Sequence, residues 1–104
     1  MNANDFMSGI GGCQYLEPSA TLIRTIEDGL EGEKQGCRFL EIMADNTQIK
    51  SVTYKKGSVS VVKTDYSWMN KALPNGRSIG VRYPIISMTF NAATDAVWCW
   101  NEPL

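Results

Sequence analysis

Hydrophobic and polar residues alternate along two stretches in the middle of the chain, residues 48–54 and 58–63. In the first stretch Val52 and Tyr54 fall on one face, because successive side chains of a strand point to opposite sides. The second stretch alternates in the same way, and the intervening residues 55–57 contain a glycine. Two alternating segments around a short glycine-containing turn are typical of a β-hairpin, which we predict here.

Further extended segments recur along the chain at a spacing of roughly ten residues. They are residues 37–43, 77–90 and 96–100, and an irregular stretch at 65–76 precedes the second of them. Pro84 lies inside the longest segment, and because proline donates no ladder hydrogen bond it predicts an edge position, a bulge or a bend. Strands at this spacing favour an antiparallel meander that forms a sandwich or a partly closed barrel.

Residues 19–30 carry a pattern of a different period. Their apolar positions fall at i, i+1, i+4 and i+8, namely Leu22, Ile23, Ile26 and Leu30. This spacing marks one face of a helix, and Ser19 is a suitable cap. A strand is the alternative, because several residues here are β-branched and Gly29 disfavours a helix interior by about 1 kcal/mol. We expect one short N-terminal helix over about residues 19–30.

The amino-acid composition supports a sheet-rich single domain. Val, Ile, Thr, Tyr, Phe and Trp together number 31 of the 104 residues, against 13 for Ala and Leu. The first group suits a pleated, half-buried surface, and a chain of this length has room for one core. We therefore predict a mainly-β (α+β) domain over residues 15–104, preceded by a flexible, glycine-rich arm over residues 1–14.

The chain contains no histidine, which narrows the chemistry available to it. Histidine is the usual general base near neutral pH and the commonest metal ligand. The three cysteines of the chain are far apart and odd in number, which disfavours a disulfide scaffold or a zinc site. We expect three reduced thiols, no enzymatic activity, no metal and no cofactor. The sequence shows no signal-like or membrane-spanning run, which favours a cytoplasmic location.

Charge is unevenly distributed along the chain. Residues 1–47 carry eight acidic and three basic residues, whereas residues 48–92 carry seven basic residues against Asp65. Basic residues interleaved with aromatic residues suit single-stranded nucleic acid, and the same field would attract an acidic protein. Alternatively they are solvated hairpin charges that discourage edge-to-edge pairing. The candidate basic–aromatic surface comprises Tyr54, Lys55, Lys56, Tyr66, Arg77 and Arg82.

Two tryptophans near the C-terminus indicate a second candidate surface. Trp98 and Trp100 alternate with Val97 and Cys99, so both indoles face one side of a strand. They form either the last layer of the core or an exposed aromatic face, and exposed aromatic clusters are typical of interfaces and ligand pockets. The candidate residues for such a face or pocket are Trp68, Met88, Trp98 and Trp100.

These observations favour a small cytoplasmic protein that acts by binding and not by catalysis. We expect its partner to be another protein or a second copy of itself, contacted through an aromatic face or a sheet edge. An inhibitor, adaptor or accessory factor would act in this way, although size and fold alone do not give function. The alternatives are a small apolar or aromatic ligand held in an aromatic-lined cavity, and single-stranded nucleic acid bound by residues 48–92. A membrane partner is not expected.

Overall fold

Seven antiparallel strands form one sheet in the computed structural model, which describes residues 13–29 and 32–104. In chain order they are β1 (Cys13–Leu16), β2 (Ile23–Thr25), β3 (Gln35–Ile42), β4 (Ile49–Lys56), β5 (Val59–Lys63), β6 (Ser78–Phe90) and β7 (Val97–Pro103). No α-helix occurs in these two ranges, so the predicted mainly-β class is confirmed. The predicted arm falls largely outside the described residues, and its last two, Cys13 and Gln14, belong to β1.

The sheet is arranged around β6, its longest strand. The strand order is β1-β7-β3-β6-β4-β5, and β2 also pairs with β6. Residues 78–80 and Ile85 of β6 pair with β3, whereas residues 85–90 pair with β4 and residues 87–89 with β2. One strand therefore joins two groups of strands, which gives the predicted sandwich-like meander. Among the described residues β1 and β5 end the path without pairing to each other, so the sheet is not closed into a barrel.

Pro84 lies where β6 changes partners. Tyr54 of β4 pairs with Ile85, whereas the preceding residue of β4 pairs with Ser87. One residue of β6 is therefore extra, which defines a β-bulge and bends the strand. The irregularity predicted from this proline is confirmed, because a residue without an N–H is tolerated where the ladder is already interrupted.

The expected helix over residues 19–30 is wrong. A strand, β2, occupies its centre and pairs with the C-terminal part of β6. Leu22 has a left-handed φ of 61°, which no α-helix accommodates. Ile26 is buried while Ile23 is exposed, so the apolar positions do not share one face; Leu30 lies outside the described residues. The isoleucine and threonine side chains of this segment are β-branched, so they lose rotamer freedom in a helix and suit a strand. The neighbouring strand β6 supplies partners for the backbone hydrogen bonds.

The predicted hairpin is confirmed as β4 and β5, with a tighter turn than expected. Lys55 and Lys56 continue β4 and pair with β5. The turn consists of Gly57 and Ser58. The φ of Gly57 is 63°, a conformation that glycine adopts without the steric penalty of a Cβ.

One hydrophobic core collects side chains from β1, β3, β4, β6 and β7. On β7, Val97 and Cys99 are fully buried, whereas the alternate residues face the other side of the sheet. The core consists of Leu16, Ile26, Cys37, Leu40, Ile42, Ile49, Val52, Trp68, Met69, Leu73, Ile79, Ile85, Met88, Phe90, Val97 and Cys99. Because it occupies one side of β3 and β7, the opposite side of these strands is left facing outward.

Candidate functional site

The outward side of β7 carries Trp98 and Trp100. Their neighbours Val97 and Cys99 are buried in the core, so both indoles lie on the opposite side of the sheet. Trp98 is half-buried and Trp100 is 37% exposed. Of the two arrangements left open by the sequence, the structure has the outward-facing one.

Antiparallel pairing brings two more aromatic residues to this side. Tyr15 of β1 pairs with Trp98, and Phe39 of β3 pairs with Trp100. The ring centroids of Phe39 and Trp100 are 5.3 Å apart at 64°, and those of Trp98 and Trp100 are 6.2 Å apart at 71°. Such edge-to-face contacts are the arrangement that aromatic quadrupoles favour. We call Tyr15, Phe39, Trp98 and Trp100 the aromatic face.

A β-bulge at Arg38 places Phe39 on the aromatic face. In a regular strand Cys37 and Phe39 would point to the same side. The register of β3 shifts between them against both neighbouring strands, so Cys37 is buried and Phe39 is exposed. Arg38 donates from Nε to the carbonyl oxygen of Val81 and from Nη1 to Oε1 of Glu102, each at 3.0 Å. Alternation in the sequence therefore cannot reveal Phe39, because one extra residue reverses it.

A glycine and an acidic residue border the aromatic face. Gly80 of β6 pairs with Phe39, and Cδ2 of that ring would lie 3.8 Å from a Cβ on the glycine. The half-buried Glu41 pairs with Trp98 on the same side of the sheet. The surface is therefore apolar at its centre and carries a carboxylate at its border.

Trp68 and Met88 do not join Trp98 and Trp100. Both belong to the core, with 8% and 0% of their surface exposed. They therefore lie on the other side of the sheet from the two C-terminal tryptophans. The predicted set of four does not line one cavity, because strand alternation and the packing of the loop after β5 divide it into two pairs.

Three tyrosines form a second aromatic group on β4, on β6 and in the loop after β5. The rings of Tyr54 and Tyr83 are stacked at 5.3 Å and 12°. Tyr66 stacks on Trp68 at 5.3 Å and 13°. The pKa of Tyr66 is raised, mainly because its phenol is partly buried and also because the phenol of Tyr54 lies nearby. We call Tyr54, Tyr66 and Tyr83 the tyrosine cluster.

Three basic side chains lie against the tyrosine cluster. The distances to ring centroids are 5.7 Å from Lys56 Nζ to Tyr83, 5.3 Å from Arg82 Cζ to Tyr83 and 5.3 Å from Lys63 Nζ to Tyr66. All three fall within the range of about 6 Å for cation–π contacts. Lys63 also donates to Asp65 at 3.0 Å, and this hydrogen bond raises the pKa of Lys63.

The predicted basic–aromatic surface is brought together in part. Tyr54, Lys56, Tyr66 and Arg82 belong to the tyrosine cluster or its cations. Lys55 is turned away, because its neighbours on the strand face the cluster, and its Nζ lies 3.5 Å from the carbonyl oxygen of Ser58. Arg77 is separated from Arg82 by five positions of extended chain, which is roughly 16 Å.

Cys37 and Cys99 lie together in the core as free thiols. The hydrogen bond with Cys37, together with burial, raises the pKa of Cys99 far above its ordinary value. A protonated, buried thiol is a poor nucleophile and a poor metal ligand. Within residues 13–29 and 32–104, no three Cys, Asp or Glu side chains are grouped to hold a metal ion.

Comparison with protein families, curated proteins and solved structures finds no match for this chain. Throughout the described part of the chain, no helix has the length and apolar character needed to cross a membrane. Because these comparisons supply no relative, the aromatic face and the tyrosine cluster are the features from which we infer a function.

Proposed function

We propose that the chain is a non-catalytic protein-binding domain whose partner, a second copy of the same chain, is bound through the aromatic face. The observation that carries the proposal is the exposure of Tyr15, Phe39 and Trp100 beside Trp98 on one side of three neighbouring strands. Their alternate neighbours already fill the core, so these rings are not needed for the interior of the domain.

Burial of these rings supplies the driving force for association. Removing apolar surface from water gains about 25 cal/mol per Å², and tryptophan and tyrosine are the residues most enriched at energetically dominant positions of interfaces. The three-dimensional arrangement of Phe39, Trp98 and Trp100 is held by edge-to-face contacts. Little side-chain entropy is therefore lost when a partner covers them.

Self-complementarity supports a second copy as the partner. A two-fold interface places the same surface on both sides. Rings at 64° and 71° to one another present both faces and edges outward, and the edge of one ring attracts the face of another. Glu41 adjoins the rings, because it pairs with Trp98 and lies two residues from Phe39 on β3, so the two-fold pairing must keep the two Glu41 carboxylates apart.

The size of the aromatic face predicts a weak dimer. Three strands about 4.8 Å apart and about 23 Å long cover a few hundred Å², whereas a standard interface buries about 800 Å² on each partner. We therefore expect a weak, reversible dimer.

Light scattering and sedimentation equilibrium across a concentration series test the proposal. The mass should approach twice 11.5 kDa at high concentration and return to 11.5 kDa on dilution. Replacing Phe39 and Trp100 together by serine should keep the chain monomeric, because this removes the two rings at the centre of the contact. Tryptophan emission of the unchanged protein should shift to longer wavelength on dilution as Trp100 becomes hydrated.

Val62→Ser is the matched control. Val62 is 67% exposed on β5, so its replacement also removes an exposed apolar side chain but leaves the aromatic face intact. This variant should dimerise as the unchanged protein does. A chain that stays monomeric up to about 1 mM, or a Phe39→Ser, Trp100→Ser variant that is folded and still dimeric, contradicts the proposal.

A further inference from the structure

We propose that the tyrosine cluster and its three cations form a second binding site, which takes single-stranded nucleic acid. The site lies on β4, at the end of β5, in the loop that follows it and on β6. The aromatic face lies on β1, β7 and β3, so the two surfaces use different strands. Binding at this second site does not require dimerisation.

The rings of the cluster form a fixed stacking platform. Tyr54 and Tyr83 are parallel within 12°, and Tyr66 is parallel to the buried Trp68 within 13°. All three tyrosines are half-buried, and each is stacked on another ring. Basic side chains lie over Tyr66 and Tyr83, so a base would stack there as these flexible side chains turn toward its phosphates. An aromatic ring held in this way can stack on a base of any sequence.

The cations stand where a phosphate backbone would pass. Lys56, Lys63 and Arg82 each hold a positive group 5.3–5.7 Å from a ring centroid. A base that takes the place of these flexible side chains on the rings would bring its phosphates within their reach. Asp65 is the single acidic residue between positions 48 and 92, against seven basic ones. Asp65 pairs with Lys63, so Lys56 and Arg82 carry the net positive charge of the cluster, although the whole chain carries a net charge of −1.

A single strand fits this surface better than a duplex or an acidic peptide. Bases of a duplex are stacked on each other and cannot lie on a tyrosine ring without being unpaired. An acidic peptide would use the cations but would gain nothing from flat, parallel rings. Charge and stacking together therefore select an unpaired polynucleotide, without preference for its sequence.

Fluorescence anisotropy with labelled oligothymidylate of about 15 nucleotides, a length that spans one such site, tests the proposal. Two phosphates contacted by Lys56 and Arg82, the cations not paired with Asp65, predict that log K falls with log salt with a slope of about −1.4, since each contact contributes about 0.7 for single strands. Replacing Lys56 and Arg82 together by glutamate should abolish binding at moderate salt. Tyr66→Leu should weaken binding by about 5- to 150-fold, because one stacking contact is lost.

Lys50→Glu combined with Lys71→Glu is the matched control, because it changes the net charge of the same half of the chain by the same amount. Both lysines are exposed, and neither contacts a ring of the cluster. This control should bind the oligonucleotide with nearly unchanged affinity, and circular dichroism should confirm that every variant is folded. The Phe39→Ser, Trp100→Ser variant should also retain binding, which separates this site from the proposed dimer contact.

Three results would overturn the inference. The first is an unchanged affinity for the folded Lys56→Glu, Arg82→Glu variant. The second is equal loss of affinity in the Lys50→Glu, Lys71→Glu control, because binding would then depend only on the overall positive charge of this half of the chain. The third is displacement of the oligonucleotide by heparin together with an unchanged affinity of Tyr66→Leu, because binding would then require charge but no stacking.

Discussion

Gly36 of β3 lies against the ring of Pro84 of β6. A Cβ placed on Gly36 would come within 2.5 Å of the Cβ of Pro84 and 3.0 Å of Cδ2 of Leu104. The proline ring is rigid and cannot move aside as the end of a flexible side chain would. The absence of a side chain on Gly36 therefore allows β3 to approach β6 at the point where β6 changes partners.

Gly36→Ala should lower the free energy of unfolding by about 1–3 kcal/mol, the usual cost of overpacking. Urea unfolding followed by circular dichroism measures this. Gly80→Ala is the control, because a Cβ there meets Phe39 at an ordinary 3.8 Å. That variant should be unchanged or more stable by up to about 1 kcal/mol, since alanine restricts the unfolded chain. Equal stability of the two variants contradicts the role given to the contact with Pro84.

Thr47 should be a second position where one small change is costly. Its side chain is fully buried, and Oγ1 donates to the carbonyl oxygen of Ala44 at 2.8 Å and accepts from the N–H of Ala96 at 3.2 Å. Thr47→Val leaves both backbone groups without this partner, so we expect a loss of about 1–3 kcal/mol in urea unfolding. Thr53→Val, at a half-buried strand position, should change stability by less than about 0.5 kcal/mol. A Thr47→Val variant as stable as Thr53→Val would contradict this account.

Strand alternation accounts for the parts of the fold that could be predicted from the sequence. The hairpin of β4 and β5 and the common side shared by Trp98 and Trp100 both follow from a period of two, although this period does not decide whether that side faces the core or the solvent. The helix over residues 19–30 was predicted wrongly because spacing within one segment cannot show that β6 offers a free edge to it. The partner strand, and not the local pattern, decides that segment.

The composition of the aromatic face could not be predicted for a related reason. Phe39 reaches it through the bulge at Arg38, and a single extra residue reverses the alternation without leaving a mark in the sequence pattern. Tyr15 reaches it through the pairing of β1 with β7, which joins residues far apart in the chain. Pairing of distant strands also brings Tyr54 and Tyr83 together. Composition alone indicated only that basic and aromatic residues both occur within residues 48–92.

The three cysteines should differ sharply in reactivity. Cys13 is half-exposed at the edge of the sheet, whereas Cys37 and Cys99 are fully buried. Hydrogen bonding to Cys37 and burial raise the pKa of Cys99, and the thiolate is the form that reacts with a maleimide. Intact-mass analysis of the native protein should therefore show rapid addition of one maleimide, and further addition only in denaturant. A native Cys13→Ser variant that is labelled as fast as the unfolded chain would contradict this prediction.

The stability of the domain should fall in alkaline solution, and Tyr66 should be one source of the fall. Its pKa in the folded protein is raised above the ordinary value of 10.0, first by burial of the phenol and then by Tyr54. A raised folded pKa means that the neutral phenol stabilises the fold fully below pH 10. That contribution is lost as the pH rises through the folded pKa, because ionisation is then easier in the unfolded chain.

Urea unfolding at successive pH values, with tyrosinate absorbance recorded in parallel, should show a smaller alkaline loss for Tyr66→Phe than for the unchanged protein. Below pH 10 the two stability curves should run parallel, separated only by a constant offset for the lost hydroxyl. The half-exposed Lys63, whose pKa is raised by its hydrogen bond to Asp65, acts in the same direction at higher pH, so Tyr66→Phe should reduce the alkaline loss without abolishing it. Parallel curves above pH 10 as well would show that the phenol of Tyr66 is not a source of the alkaline loss.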